Sequence, residues 1–123
     1  MDSNQNLPRI LLVDDHRDTV EFTAFFLIKR GYTVARAYSA AEARLEVARH
    51  LCDVIISDIG LPDGSGIELL DELRKKYSLK GILVSGSMQD GEAVEARGFK
   101  FLAKPVQLEA LLDAIHSASS LDG

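Results

Sequence analysis

Short apolar runs alternate along this chain with stretches whose apolar residues recur at helical spacing. The runs at residues 9–13, 33–37, 54–57, 82–85 and 99–103 are too short for helices and read as buried strands. Between them, residues 17–30 carry Val20, Ala24, Leu27 and Ile28 on one face, with Gly31 placed as a C′ residue. Ser39, with Glu42 three residues on, forms a capping box for a second helix whose buried stripe is expected at Ala41, Leu45, Ala48 and Leu51. A third helix is expected over 65–77, with Ile67, Leu70, Leu73 and Tyr77 facing inward. A short fourth is expected over 92–97, and a fifth over 107–117 through Leu108, Leu111, Leu112 and Ile115. Gly60, Pro62 and Gly64 mark a turn-rich loop at 58–64.

Five strand–helix units in succession predict an α/β fold. A doubly wound parallel sheet carries helices on both faces, joined by right-handed crossovers. The folded domain is expected over 9–117, with flexible ends at 1–8 and 118–123.

Composition narrows the class. At 123 residues the chain supports one core, and 46% hydrophobic with 27% charged residues is ordinary for a soluble globular protein. No apolar run approaches the about 20 residues needed to cross a bilayer. The polar N-terminus shows no secretory signal, so the expected compartment is cytoplasmic and membrane insertion is not expected. Fourteen basic against nineteen acidic residues, with no basic stripe, argue against direct nucleic-acid binding. The single cysteine, Cys52, lies beside a strand and reads as a buried thiol.

The chemistry concentrates at strand ends. Asp14 and Asp15 follow the first strand, Asp58 follows the third, and Lys104 follows the fifth. Each has an ordinary explanation taken singly: an Asp can cap a helix or close a turn, and a Lys can end a strand in solvent. Together they describe one crevice at the carboxyl edge of a parallel sheet, where such folds place their ligands. Three crowded carboxylates call for a hard divalent cation with oxygen ligands, and the lysine opposite suits an incoming phosphoryl group. His16, His50 and His116 show no partner pattern and read as surface residues, and Asp63, Asp71 and Glu72 as surface charge or helix N-terminal residues.

Four motifs in order, ILLVDD at 10–15, VIISDIGLPDGSG at 54–66, ILVSG at 82–86 and FLAKP at 101–105, resemble the receiver domain of two-component response regulators. The likeness spans about 9–117. It implies a flavodoxin-like (βα)₅ sheet of strand order 2-1-3-4-5 and a phosphorelay switch. Asp58 is then the phosphoacceptor. Mg²⁺, with Mn²⁺ as a substitute, is held by Asp14, Asp15, Asp58 and the backbone carbonyl of Gly60, with Asp15 as a direct ligand and Asp14 acting mostly through water. Ser85 and Lys104 meet the phosphoryl group, Phe101 is the switch aromatic, and the Lys104-Pro105 bond is cis. The implied partners are a histidine kinase or histidine phosphotransfer protein and a downstream protein target reached through the surface of helix four, strand five and helix five.

The resemblance implies a chain that phosphorylates itself from a donor and can remove that group again, rather than an enzyme turning over an external substrate. With no output domain after the fifth helix, the chain is expected to be either a stand-alone receiver or one excised from a larger protein, and ILVSG with the GF before FLAKP leans toward the hybrid-kinase type. The alternatives are a degenerate receiver acting as a phosphorylation-independent binding module and an aspartyl-nucleophile hydrolase, for which 123 residues leave little room. One departure from the family stands out: the segment from Ser85 to Lys104 is shorter by most of one helical turn, and Gly86, Ser87, Asp90 and Gly91 make its start weakly helical.

Overall fold

The computed structural model describes residues 7–119. Strands and helices alternate as β1 (Arg9–Val13), α1 (Arg17–Lys29), β2 (Thr33–Ala37), α2 (Ala40–Arg49), β3 (Val54–Asp58), α3 (Gly66–Lys76), β4 (Lys80–Ser85), α4 (Asp90–Ala96), β5 (Lys100–Ala103) and α5 (Leu108–Ser119). A two-residue antiparallel ribbon, Gly60–Leu61 with Gly64–Ser65, fills the loop after β3. The five strands are all parallel, in the order β2-β1-β3-β4-β5. This is the doubly wound fold that the sequence pattern predicts.

Because side chains alternate along a strand, each strand feeds two cores. Leu11, Val13, Ile55 and Leu83 face one layer with Val47, Leu70, Leu73 and Val94. Ile10, Leu12, Ile56 and Ile82 face the other with Val20, Leu27, Leu111 and Ile115. Truncating such a fully buried Leu or Ile to Ala costs about 2–5 kcal/mol, so these strands are held firmly from both sides.

Helix phases differ from the expectation in three places. In α2 the buried residues are Ala40, Ala43 and Val47, while Leu45 and Leu51 are 56% and 72% exposed. The larger side chains suggested the wrong stripe, because α2 approaches the sheet through small residues. In α1, Ile28 is exposed, and the packed stripe is Val20, Ala24 and Leu27. In α3, Leu69, Leu70 and Leu73 are buried and Tyr77 only partly so. Helix α4 begins two residues before the expected 92, and α5 runs two past 117, with Ala118 buried. Leu7 packs against the α1/α5 core, and the rest of the expected flexible ends, 1–6 and 120–123, lie outside the described residues.

The caps follow the local sequence. Gly31 takes φ 95° just after α1. Ser39 Oγ accepts from the Glu42 amide at 3.1 Å, and Glu42 Oε1 reaches back to the Tyr38 amide at 2.8 Å. Asp63 adds a cap from a distance. Its two carboxylate oxygens accept the amides of Ala40 and Ala41 at 2.8 and 3.0 Å, tying the loop after β3 to the start of α2. Those two amide bonds hold the Asp63 carboxyl below its ordinary pKa.

A depressed carboxyl pKa stabilises the fold above the unfolded value and loses that contribution as pH falls through the folded one. Asp63→Ala is therefore expected to lower the thermal midpoint by a few degrees at neutral pH, with the gap from wild type closing below the ordinary carboxylate range. Melting curves across acidic and neutral buffers check this, and a gap that stays constant with pH would contradict the charged cap.

Candidate functional site

Parallel register brings the strand ends together. Val13 pairs with Ser57 and Asp58 with Val84, so the residues just beyond β1 and β3 open at one edge, beside Ser85 at the end of β4. On the far side, Ser85 pairs with Ala103 and its carbonyl accepts the Lys104 amide at 2.9 Å. The Lys104-Pro105 peptide is cis, as the resemblance implies.

Three carboxylates and one imidazole meet there. Asp14, Asp15, Asp58 and His16 each offer a ligand atom, all within 4.8 Å of one another. Lys104 Nζ stands 3.2 Å from Asp58 Oδ1 and 4.0 Å from Asp14 Oδ2. The Asp58 side chain is only 11% exposed. Burial pushes its carboxyl pKa up, Lys104 pulls the other way, and the nearby Asp14 charge raises it again, leaving it above its ordinary value.

His16 departs from the reading of a histidine without partners. Its Nδ1 lies 2.9 Å from Asp14 Oδ1, and its backbone amide donates to the same oxygen at 3.0 Å. The hydrogen bond to Asp14, reinforced by the two acidic charges, raises its pKa. An Asp two residues before the His at a strand end is the local signal that reveals this contact. Cys52 is half-buried rather than fully buried as expected, and that burial still pushes its thiol up to about 12.

The loop after Asp58 is folded tightly back. The Gly66 amide donates to the Ile59 carbonyl at 2.7 Å, and a Cβ on Gly66 would lie 2.1 Å from the Asp58 carbonyl oxygen. Only glycine lets α3 start so close to this strand end. Gly60 pairs with Ser65 in the ribbon, and Ser65 Oγ caps α3 by accepting the amides of Ile67 and Glu68. The Ile59 amide donates to the Val84 carbonyl at 3.0 Å and also faces the Asp58 carboxyl, where its hydrogen bond works against the rise in pKa.

The other expected residues lie around this centre without joining it. Ser85 is buried, and its hydroxyl donates to Asp90 Oδ2 at 2.6 Å while accepting the Ser87 amide at 3.0 Å. Phe101 is half-buried and packs on the core that contains Val94. A groove of about 610 Å³ runs from Asp14 and Lys104 between α1 and α5, past Phe22, Thr23, Val106 and Leu108. Among the described residues, no helix is long and apolar enough to cross a membrane.

An acidic crevice with an opposed lysine at the carboxyl edge of a 2-1-3-4-5 sheet defines a receiver-type module. Residues 10–116 match the response regulator receiver domain model, and the chain belongs to that family. It is 34% identical over 113 residues to the transcriptional regulatory protein GlrR of Escherichia coli, covering 89% of this chain and 26% of that protein. It is 38% identical to the sensor kinase CckA of Brucella abortus, covering 86% of this chain and 12% of that one. The chain thus spans about a quarter or less of the length of these two relatives. Among solved structures, the CheY-like receiver domain protein of Methanospirillum hungatei superposes with TM-score 0.82 at 32% identity, covering 91% of this chain and 93% of that one.

The raised pKa of Asp58 has a direct consequence for stability. A carboxyl whose folded pKa lies above its unfolded value destabilises the fold progressively as pH rises from the ordinary carboxylate range through the folded pKa. In metal-free buffer, Asp58→Asn should therefore melt a few degrees higher than wild type at neutral pH, and the advantage should vanish in acid. A variant less stable at neutral pH would show that the Lys104 pairing outweighs burial.

Proposed function

We propose that the chain is a phosphorylation switch in which Asp58 receives a phosphoryl group from the phosphohistidine of a histidine kinase or histidine phosphotransfer protein. The observation that carries this reading is the largely shielded Asp58 carboxylate 3.2 Å from Lys104, with Asp14 and Asp15 beside it. A carboxylate oxygen of Asp58 attacks phosphorus, the P–N bond to the histidine breaks, and the electron pair returns to the imidazole. Lys104 offsets the charge that accumulates on the phosphoryl oxygens, and Ser85 offers a hydroxyl to one of them.

The donor set fits a hard divalent cation. It is rich in carboxylate oxygens, and one lysine does not neutralise three acids. Asp14, Asp15, Asp58 and the Gly60 carbonyl are the residues that would hold Mg²⁺, which when bound supplies positive charge to the transferring group. Mn²⁺ suits the same oxygens. The groove between α1 and α5 offers the donor protein a place to dock beside Asp58, with Phe22 and Phe25 each 63% exposed along α1. A protein acting only as a passive binding module has no use for a buried carboxylate held against a lysine.

Incubation with Mg²⁺ and acetyl phosphate should add one phosphoryl group by intact mass, and Asp58→Asn should remain unmodified. An unmodified wild-type mass, with Mg²⁺ binding confirmed separately, would count against the switch.

Asp15 is the more open of the paired acids, its side chain 43% exposed against 13% for Asp14, and His16 Nδ1 lies 3.4 Å from Asp15 Oδ1 but 2.9 Å from Asp14 Oδ1. Asp15→Ala should therefore lose more Mg²⁺ affinity than Asp14→Ala, by about tenfold if a direct ligand is exchanged for a water-mediated one. Calorimetric titration of both variants decides it, and equal or reversed losses would move the ion away from Asp15.

A further inference from the structure

Ser85 has one hydroxyl proton and can donate it to one strong acceptor at a time. In this structure that acceptor is Asp90, five residues on at the first position of α4. The 2.6 Å separation is that of a charge-assisted O–H···O⁻ bond, the strong kind. The Ser87 amide donates to the Ser85 oxygen, and the Asp90 amide donates to the Ser87 carbonyl at 3.1 Å. Residues 85–90 are thereby closed around the Ser85 side chain.

The next residue extends the connection. A Cβ on Gly91 would lie 3.1 Å from the Phe101 ring, so the start of α4 rests directly on that aromatic. Helix α4 has seven residues, and of these only Val94 is buried. Little else anchors its first turn.

We propose that Asp90 is a positioning residue whose carboxylate competes with a phosphoryl group on Asp58 for the Ser85 hydroxyl, holding the start of α4 and its contact with Phe101 in the unmodified arrangement. The proposal rests on the reading of Asp58 as phosphoacceptor. Modification of Asp58 supplies a rival acceptor next to the end of β4. When Ser85 turns to it, the Asp90 carboxylate loses its proton donor, and the first turn of α4 is released from the strand end. The conformational response is thus set against a specific opposing bond, and weakening that bond should favour the modified state.

Beryllofluoride, a phosphoryl mimic, can be titrated with Mg²⁺ into wild type, Asp90→Ala, Asp90→Asn, Ser85→Ala and the Ser85→Ala/Asp90→Ala double variant, with amide shifts as the readout. Asp90→Ala should bind about tenfold more tightly than wild type, as expected for loss of one competing charge-assisted bond. Asp90→Asn keeps the shape and a weaker acceptor, so it should show a smaller gain in the same direction. In the Ser85→Ala background the Asp90 substitution should give no gain, because the hydroxyl through which it acts is gone. Free Asp90→Ala should also show the amides of Ser87, Gly91 and Phe101 displaced toward their beryllofluoride-bound positions. Folded Asp90 variants that bind no more tightly than wild type would overturn the proposal alone, as would a gain that persists without the Ser85 hydroxyl. Failure of the wild type to bind beryllofluoride, with Mg²⁺ bound, would overturn the phosphoacceptor reading and this proposal with it.

Discussion

The contact between Lys104 and Asp58, at 3.2 Å, is the interaction on which the site depends. Three carboxylates lie close enough to repel one another, and two of them, Asp14 and Asp58, are largely shielded from solvent. An arrangement of this kind survives only when the backbone cannot move to relieve it. Here the strands beneath it are locked by apolar side chains on both faces, with Leu11 and Ile55 packed on one side and Ile10, Leu12 and Ile82 on the other. The core therefore sustains the electrostatic strain at the edge, and the lysine partly offsets it.

The two sides of Asp58 are built differently. Toward α3 the chain is fixed: the Gly66 backbone touches the Asp58 carbonyl, Ser65 caps the helix, and Asp63 pins the loop to α2. Toward α4 the chain next to Ser85 is held by the Ser85 hydroxyl on Asp90 and by the seat of Gly91 on Phe101, with Val94 the one buried side chain of the helix and Arg74 and Asp71 tying its far end at Arg97. Segments with few buried contacts are those that change state at low cost. The phosphoryl group proposed for Asp58 would thus stand between a tightly tied loop on one side and a segment with few buried side chains on the other.

Much of this was legible along the chain. The apolar runs located the five strands because a strand buried on both faces has little choice of residue. The acids and Lys104 stood out because each follows such a run directly. Ser39 with Glu42 and Gly31 are local signals that act within a few residues, whereas the cis Lys104-Pro105 bond was implied by the family resemblance. The stripe of α2 differs from the expected one, because Leu45 and Leu51 promise more buried area than Ala40 and Ala43, yet it is the small residues and Val47 that pack inward. His16 and Asp90 each pair with a residue two to five positions away, but a donor beside an acceptor in sequence becomes a bond only when the local turn brings them together.

What the sequence determined by itself was the order of elements, the parallel α/β class and the presence of three acids and a lysine at strand ends, because these follow from short-range periodicity and from where each apolar run stops. Only the tertiary structure decided which partners those groups take. Asp63 reaches the amides of Ala40 and Ala41 across more than twenty residues, and Lys104 reaches Asp58 across more than forty. Such pairings depend on sheet register and on the angle at which each helix returns, and these are set by the packing of the whole core.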